Sequence, residues 1–248
     1  MKYYVTADVH GFYSEFRQAL TDAGFFSDDE HHKLIILGDL FDRGREAKLL
    51  QQFVLDLMEK DEVILIRGNH EDLFVEMVTS GDGIQLRHHV HNGTYNTAIQ
   101  LTDFDPVMAG IRPHDFAESA RNTPYFKKII PAMHDYYETD HYVFVHGWIP
   151  CIRDWDGYSY CSDWRNSSAD EWAKARWYNG IDAAVTALEE KTVVCGHWHA
   201  SYGHSKYEKK CSEFGDDADF TPYQAPGIIA MDACTARSGF VNVLVFDD

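Results

Sequence analysis

Five short segments of the 248-residue chain combine Asp, Asn or His with an adjacent glycine. They are A-D-V-H-G (Ala7–Gly11), G-D-L-F-D-R-G (Gly38–Gly44), R-G-N-H-E (Arg67–Glu71), H-G-W (His146–Trp148) and G-H-W-H (Gly196–His199). Their donors are oxygens and imidazoles without thiolate, a set that suits Mn²⁺, Fe or Zn²⁺ and admits Mg²⁺. Six or seven such donors are too many for one tetrahedral ion but fit two ions that share a carboxylate. Two cations about 3.5–4 Å apart are a common device for phosphoryl hydrolysis, one activating water and both neutralising charge on the phosphate.

Taken singly, each residue has a structural alternative. A lone Asp after a strand is usually a turn or cap residue, and an isolated His is more often a satisfied core residue than a ligand. Asp42 and Arg43 could form a loop ion pair of little worth if exposed. The five segments together point elsewhere, because each follows a strand-like run. Lys2–Ala7, Lys33–Leu37 and Glu62–Ile66 read as strands, separated by amphipathic helices over Ser14–Ala23 and Glu46–Lys60; a further helix spans Glu71–Thr79. This alternation implies parallel strands with helices on the faces. The β pattern returns at His141–Val145, Thr192–Cys195, Gly227–Asp232 and Phe240–Phe246. Open α/β sheets place ligands beyond the carboxyl ends of their strands, so the segments should converge on one pocket.

Glycine- and proline-containing sequence over about 80–140 reads as a helical insertion or cap, and about 200–226 as a polar loop with the acidic run Gly215–Asp219. No Gly/Ser/Pro-rich linker or internal repeat divides the chain, so residues 1–248 read as a single domain.

In this order the five segments resemble the signature of the calcineurin-like metallophosphoesterase superfamily. The D-R-G and R-G-N-H-E forms resemble its phosphoprotein phosphatase branch, which includes bacterial Ser/Thr protein phosphatases and symmetrical diadenosine tetraphosphate hydrolases. The resemblance spans Asp8 to His199 and implies a four-layer α/β/β/α sandwich. It also implies that Asp8 and His10 bind a first divalent metal, Asp39 bridges two, and Asn69, His146 and His197 complete the second, with Mn²⁺ the foremost candidate. His199 would add to the first metal, as the second His of G-H-x-H does elsewhere in the superfamily; the branch usually has only the first. His70 would be the general acid oriented by Asp42, and Arg43, Arg67 and Arg176 would grip phosphate oxygens. The implied reaction is direct in-line attack of metal-bound hydroxide on a phosphomonoester, including a phosphoprotein, or on a dinucleoside polyphosphate. A non-catalytic module binding a phosphorylated ligand would instead lack an acid or a ligand, and none is missing here.

The formal net charge of −18 disfavours broad nucleic-acid binding, while bound cations would supply local positive charge for a small phosphorylated substrate. The apolar runs are too short to cross a bilayer and no signal peptide is evident, so the cytoplasm is the expected location. Cys151, Cys161, Cys195, Cys211 and Cys234 are odd in number and never spaced C-x-x-C, as free thiols would be. Glu71 reads as a loop brace. His31, His32, His88, His89 and His91 read as surface residues, and Trp148 and Trp198 either stack on substrate or wall the pocket. Asp39→Ala is expected to lose bound metal and activity together, by elemental analysis and a phosphatase assay; retention of both contradicts the bridging role.

Overall fold

The computed structural model describes residues 1–80, 86–102, 113–154, 157–160, 163–184 and 190–248. The described strands are Lys2–Thr6 (β1), His32–Leu37 (β2), Val63–Ile66 (β3), Tyr137–Glu138 (β4), Tyr142–Phe144 (β5), Cys151–Asp154 (β6), Gly157–Tyr160 (β7), Thr192–Cys195 (β8), Tyr223–Ala225 (β9), Ile228–Ala230 (β10) and Leu244–Asp247 (β11). The α-helices are Tyr13–Asp22 (α1), Ala47–Glu59 (α2), Asn69–Thr79 (α3), Leu86–Asn92 (α4), Thr94–Thr102 (α5), Pro113–Arg121 (α6), Ala169–Ala175 (α7), Gly180–Ala183 (α8), Ala200–Gly203 (α9) and Thr235–Ser238 (α10).

Apolar, strand-length runs such as Leu34–Leu37 are buried on both faces, as parallel strands covered on either side must be. One sheet runs β11-β1-β2-β3, with β1, β2 and β3 parallel and β11 antiparallel to β1. The other runs β4-β5-β8-β10-β9, with β5, β8 and β10 parallel. β6 and β7 form a separate antiparallel hairpin.

Three apolar clusters define the layers. Tyr3, Val5, Ile35, Leu37, Ile66, Phe144, Val194, Met231 and Phe246 fill the space between the sheets. Phe16 and Leu20 of α1, Leu50 and Val54 of α2, Phe74 and Met77 of α3 and Ala98 of α5 cover the outer face of the first sheet. Trp172 of α7, Ile181 of α8 and Ala200 of α9 cover the second. The result is the expected four-layer α/β/β/α sandwich.

The described part of residues 80–140 carries α4, α5, α6 and a π-turn over Tyr125–Ile129, and then β4, which belongs to the second sheet. Three differences from the sequence reading have local causes. The last strand begins at Leu244 rather than Phe240, because the Asn242 side-chain amide donates to the Phe220 and Met231 carbonyls at 2.8 and 3.0 Å, tying this segment across loops. The polar loop contributes α9 and an edge strand, β9, paired antiparallel with β10. His89 is fully buried rather than on the surface. It lies one turn before Gly93, at the α4–α5 junction packed on the D-R-G loop, where a Cβ would come 2.6 Å from the Arg43 nitrogen.

Cys195, Cys211 and Cys234 carry free thiols, while Cys161 lies outside the described residues. Burial pushes the Cys195 thiol upward, consistent with a packing role. No described helix is long and apolar enough to cross a membrane.

Phe144 is fully buried between the sheets, its ring 5.7 Å from that of Phe246. Phe144→Ala should lower stability by about 3–5 kcal/mol in urea titrations, whereas Leu49→Ala on the exposed side of α2 should change it by less than about 0.5 kcal/mol. Equal effects would contradict this placement of the core.

Candidate metal centre

Each of the five segments begins within a few residues of the carboxyl end of β1, β2, β3, β5 or β8. The backbone there bends through the left-handed region at non-glycine residues. Asp8, His10, Asp39, Asp42, Arg43 and His197 have φ of 52°, 51°, 52°, 73°, 63° and 63°. Asp and His tolerate this conformation better than most residues, though it still costs about 1–2 kcal/mol each. Such a concentration of strain is expected where packing holds side chains for function. Two glycines let the loops close up. A Cβ at Gly68 would lie 2.2 Å from Asp39 Oδ1, and one at Gly196 would lie 2.1 Å from Asp8 Oδ2.

Asp39 stands at the centre and presents one oxygen to each of two donor groups. Its Oδ2 lies 3.7 Å from His10 Nε2 and 3.8 Å from His70 Nε2. Its Oδ1 lies 3.3 Å from His146 Nε2, which is itself 2.8 Å from Asn69 Oδ1. Donor atoms of His10, Asp39 and His70, and separately of Asp39, His146 and His197, lie within 4.8 Å of one another. Two donors bound to one ion through bonds of about 2.1 Å stand roughly 3–3.5 Å apart. The donors therefore fit two ions on either side of one carboxylate.

The ring orientations fit as well. His10 Nδ1 is held by the Phe41 carbonyl at 2.8 Å and His146 Nδ1 by the Leu37 carbonyl at 2.6 Å, leaving each Nε2 aimed inward. Metal-ligating imidazoles are commonly fixed by such carbonyl contacts. The His197 ring packs edge-to-face on Trp177, with centroids 5.9 Å apart. Burial, followed by the Arg43 charge, keeps His10 well below its usual pKa; burial and then His146 bring His197 down to about 3. Both rings are thus neutral, as ligation requires.

Asp8 accepts from the His197 backbone N–H at 2.9 Å and is almost fully buried. Burial, then the charges of Asp232 and Asp39, push its carboxyl well above the usual range. Asp232 is the site residue that sequence reasoning missed. It follows β10, a sixth strand end, but sits in no recognisable motif; burial raises its pKa too.

His70 is placed differently from the other imidazoles. Its Nδ1 meets Asp42 Oδ2 at 2.6 Å. Asp42 in turn accepts from Thr94 Oγ1 at 2.8 Å and Thr97 Oγ1 at 2.7 Å, both on α5. Burial opposes the imidazolium, but the charge of Asp39 and then the bond to Asp42 leave His70 raised above its ordinary pKa.

The three arginines have separate surroundings. Arg67 Nε and Arg176 Nη1 bind the two oxygens of Asp72, each at 2.7 Å, and Arg176 Nη2 also binds Asp135. Arg43 is exposed and has no side-chain hydrogen bond or ion pair among the described residues. His199 Nε2 bonds Glu213 of the polar loop at 2.9 Å, and its ring stacks on Phe214 at 4.6 Å. Like Asp8, it lies outside the two donor groups, and it would have to exchange Glu213 for an ion to join them. Trp148 is a buried wall residue, whereas Trp198 is half-buried and stacked on His199.

Glu71 is fully buried and braces the loops, as its position in R-G-N-H-E suggests. Its Oε2 accepts from Asp39 N at 3.0 Å and Gly68 N at 2.8 Å; its Oε1 accepts from Leu40 N at 3.1 Å and Tyr125 Oη at 2.9 Å.

Residues 1–218 match the calcineurin-like phosphoesterase family, to which the chain belongs. It is a metal-dependent hydrolase of phosphoric esters. It is 37% identical over 222 residues to the symmetrical bis(5'-nucleosyl)-tetraphosphatase of Nitrosospira multiformis, covering 82% of this chain and 70% of that protein. It is 29% identical over 113 residues to the asymmetrical bis(5'-nucleosyl)-tetraphosphatase of Bacillus velezensis, covering 43% of each. The fold is similar to that of the cold-active protein-tyrosine phosphatase of a Shewanella species, with a TM-score of 0.54 and 16% identity over 100% of this chain and 75% of that one.

Replacing Glu71 with Gln sets an amide N–H₂ against groups that all donate to a carboxylate. Glu71→Gln should destabilise the metal-free protein by about 1–3 kcal/mol in urea and weaken Mn²⁺ binding in calorimetry. Unchanged stability and affinity would contradict the bracing role.

Proposed function

We propose that the chain hydrolyses nucleoside polyphosphates, foremost dinucleoside polyphosphates, by direct displacement at phosphorus without a phosphoenzyme. The reading of the substrate rests on the likeness to the Nitrosospira tetraphosphatase over 82% of the chain. The reading of the reaction rests on the two donor groups sharing Asp39. Phosphomonoester hydrolysis, phosphoproteins included, is the second reading, since the D-R-G and R-G-N-H-E segments resemble those of protein phosphatases as well as of tetraphosphatases.

Asp8, His10, Asp39, Asn69, His146 and His197 would hold two divalent cations, with Mn²⁺ the best match to the mixed oxygen and imidazole set. Bound there, the cations would acidify water and neutralise phosphate charge. Arg43, whose guanidinium has no partner among the described residues, would reach the phosphate oxygens without first breaking an ion pair. Arg67 and Arg176 would add their remaining N–H groups from a fixed position, since Asp72 joins them.

His70 protonates the departing oxygen. Asp42 holds its Nδ1, which leaves Nε2 facing the reaction centre, and the raised pKa keeps a proton available. With a dinucleoside polyphosphate the departing group is a nucleotide phosphate oxygen.

Turnover of diadenosine tetraphosphate and p-nitrophenyl phosphate, measured side by side in Mn²⁺ and in chelator, tests the substrate. Mn²⁺-dependent hydrolysis with the higher kcat/KM on the dinucleotide is expected. Hydrolysis of p-nitrophenyl phosphate or a phosphopeptide with none of the dinucleotide would overturn the reading. His70→Ala should retain both metals by elemental analysis yet lose about 10²–10⁴-fold in kcat on phenyl phosphate. The loss should be smaller on p-nitrophenyl phosphate, whose leaving group needs less protonation. Equal losses on the two would remove His70 as the acid.

A further inference from the structure

Trp177 is the outlier among the described tryptophans. Trp148, Trp164 and Trp172 are buried, whereas Trp177 is 49% exposed. A single exposed aromatic is ordinary by itself, but this one packs directly against a side chain of the candidate metal centre. Its backbone N–H donates to the Lys174 carbonyl at 3.0 Å. Its indole meets the His197 ring edge-to-face, with centroids 5.9 Å apart and planes at 81°. Such an arrangement occupies one side of the contact and leaves indole surface open to solvent.

The preceding residue strengthens the case. Arg176 is only 7% exposed and is clamped by Asp72 and Asp135, and Asp72 also carries Arg67. Consecutive residues therefore place a phosphate-binding cation inside the site and a flat, rigid, exposed aromatic at its rim. Trp198 does not compete for this task, because its indole stacks on His199 with centroids 5.9 Å apart and planes at 27°.

We propose that Trp177 is the platform on which a nucleobase of the substrate stacks, making it a specificity-determining residue for nucleotide over simple phosphate esters. The inference rests on the nucleoside polyphosphate reading given above. A phosphate held near Arg176 leaves its attached nucleoside free to turn outward, toward the indole. Every base offers a π-face, so the contact would select a nucleoside without selecting strongly among bases. Tryptophan performs this task at low entropic cost, since only two side-chain torsions need to be fixed.

The decisive comparison is kcat/KM for diadenosine tetraphosphate divided by kcat/KM for p-nitrophenyl phosphate, in wild type, Trp177→Ala and Trp177→Phe. The ratio should fall roughly 5- to 100-fold in Trp177→Ala, chiefly through KM for the dinucleotide. Trp177→Phe should recover most of it. ADP added in chelator should quench the fluorescence of the wild type more than that of Trp177→Phe, reporting stacking without turnover. An unchanged ratio in Trp177→Ala overturns the proposal. A parallel loss on both substrates together with loss of bound metal also overturns it, because the indole would then serve only to hold His197. If the wild type hydrolyses p-nitrophenyl phosphate but no dinucleotide, the substrate reading itself fails and the platform falls with it, an outcome separate from the first two.

Discussion

Several carboxylates converge in one water-poor crevice, and the rest of the site follows from that. Asp8, Asp39, Asp42, Glu71 and Asp232 are all buried beside the strand ends. Burying charge is costly unless each group is paired, bonded or bound to a cation. Asp42 and Glu71 are satisfied by the protein, through hydroxyls, backbone N–H groups and an imidazole. Asp8 is placed differently: burial, then Asp232 and Asp39, force it well above its usual pKa, while the imidazoles around Asp39 hold that carboxyl low against its burial. A divalent cation on each side of Asp39 would neutralise that concentration of carboxylates.

The same constraint explains how the loops divide their work. Glu71 fastens the Gly38–Gly44 loop to the start of α3, which fixes where Asp39 points. α5 fastens Asp42 through Thr94 and Thr97, so the insertion supports the His70 dyad as well as covering the sheet. Asp72 fixes the spacing of two arginines, while Arg43 has no side-chain partner among the described residues. The groups proposed to bind metal, donate the proton and hold phosphate each rest on a different brace.

Much of this was legible because the informative segments are local. A strand followed by Gly-Asp or Gly-Asn-His states its position and its donors within a few residues. The apolar runs show a layered α/β fold with β pairing toward the C-terminus, whereas the sandwich follows only from the family resemblance. Contacts that depend on distant residues were not legible. Thr94 reaches Asp42 across 52 positions and Arg176 reaches Asp72 across 104. Asp232 followed a strand end without any motif beside it. His199 looked like a ligand from G-H-x-H, while the structure bonds it to Glu213 in a loop whose path the sequence does not disclose. His89 read as one of a run of surface histidines, but helix packing buries it with neither ring nitrogen paired among the described residues.

The most direct test of the central claim is an anomalous-difference map from crystals grown with Mn²⁺. The account predicts two peaks, one beside each oxygen of Asp39, with His10 at the first and Asn69, His146 and His197 at the second. One peak alone, or peaks that leave an Asp39 oxygen without an ion, would contradict it.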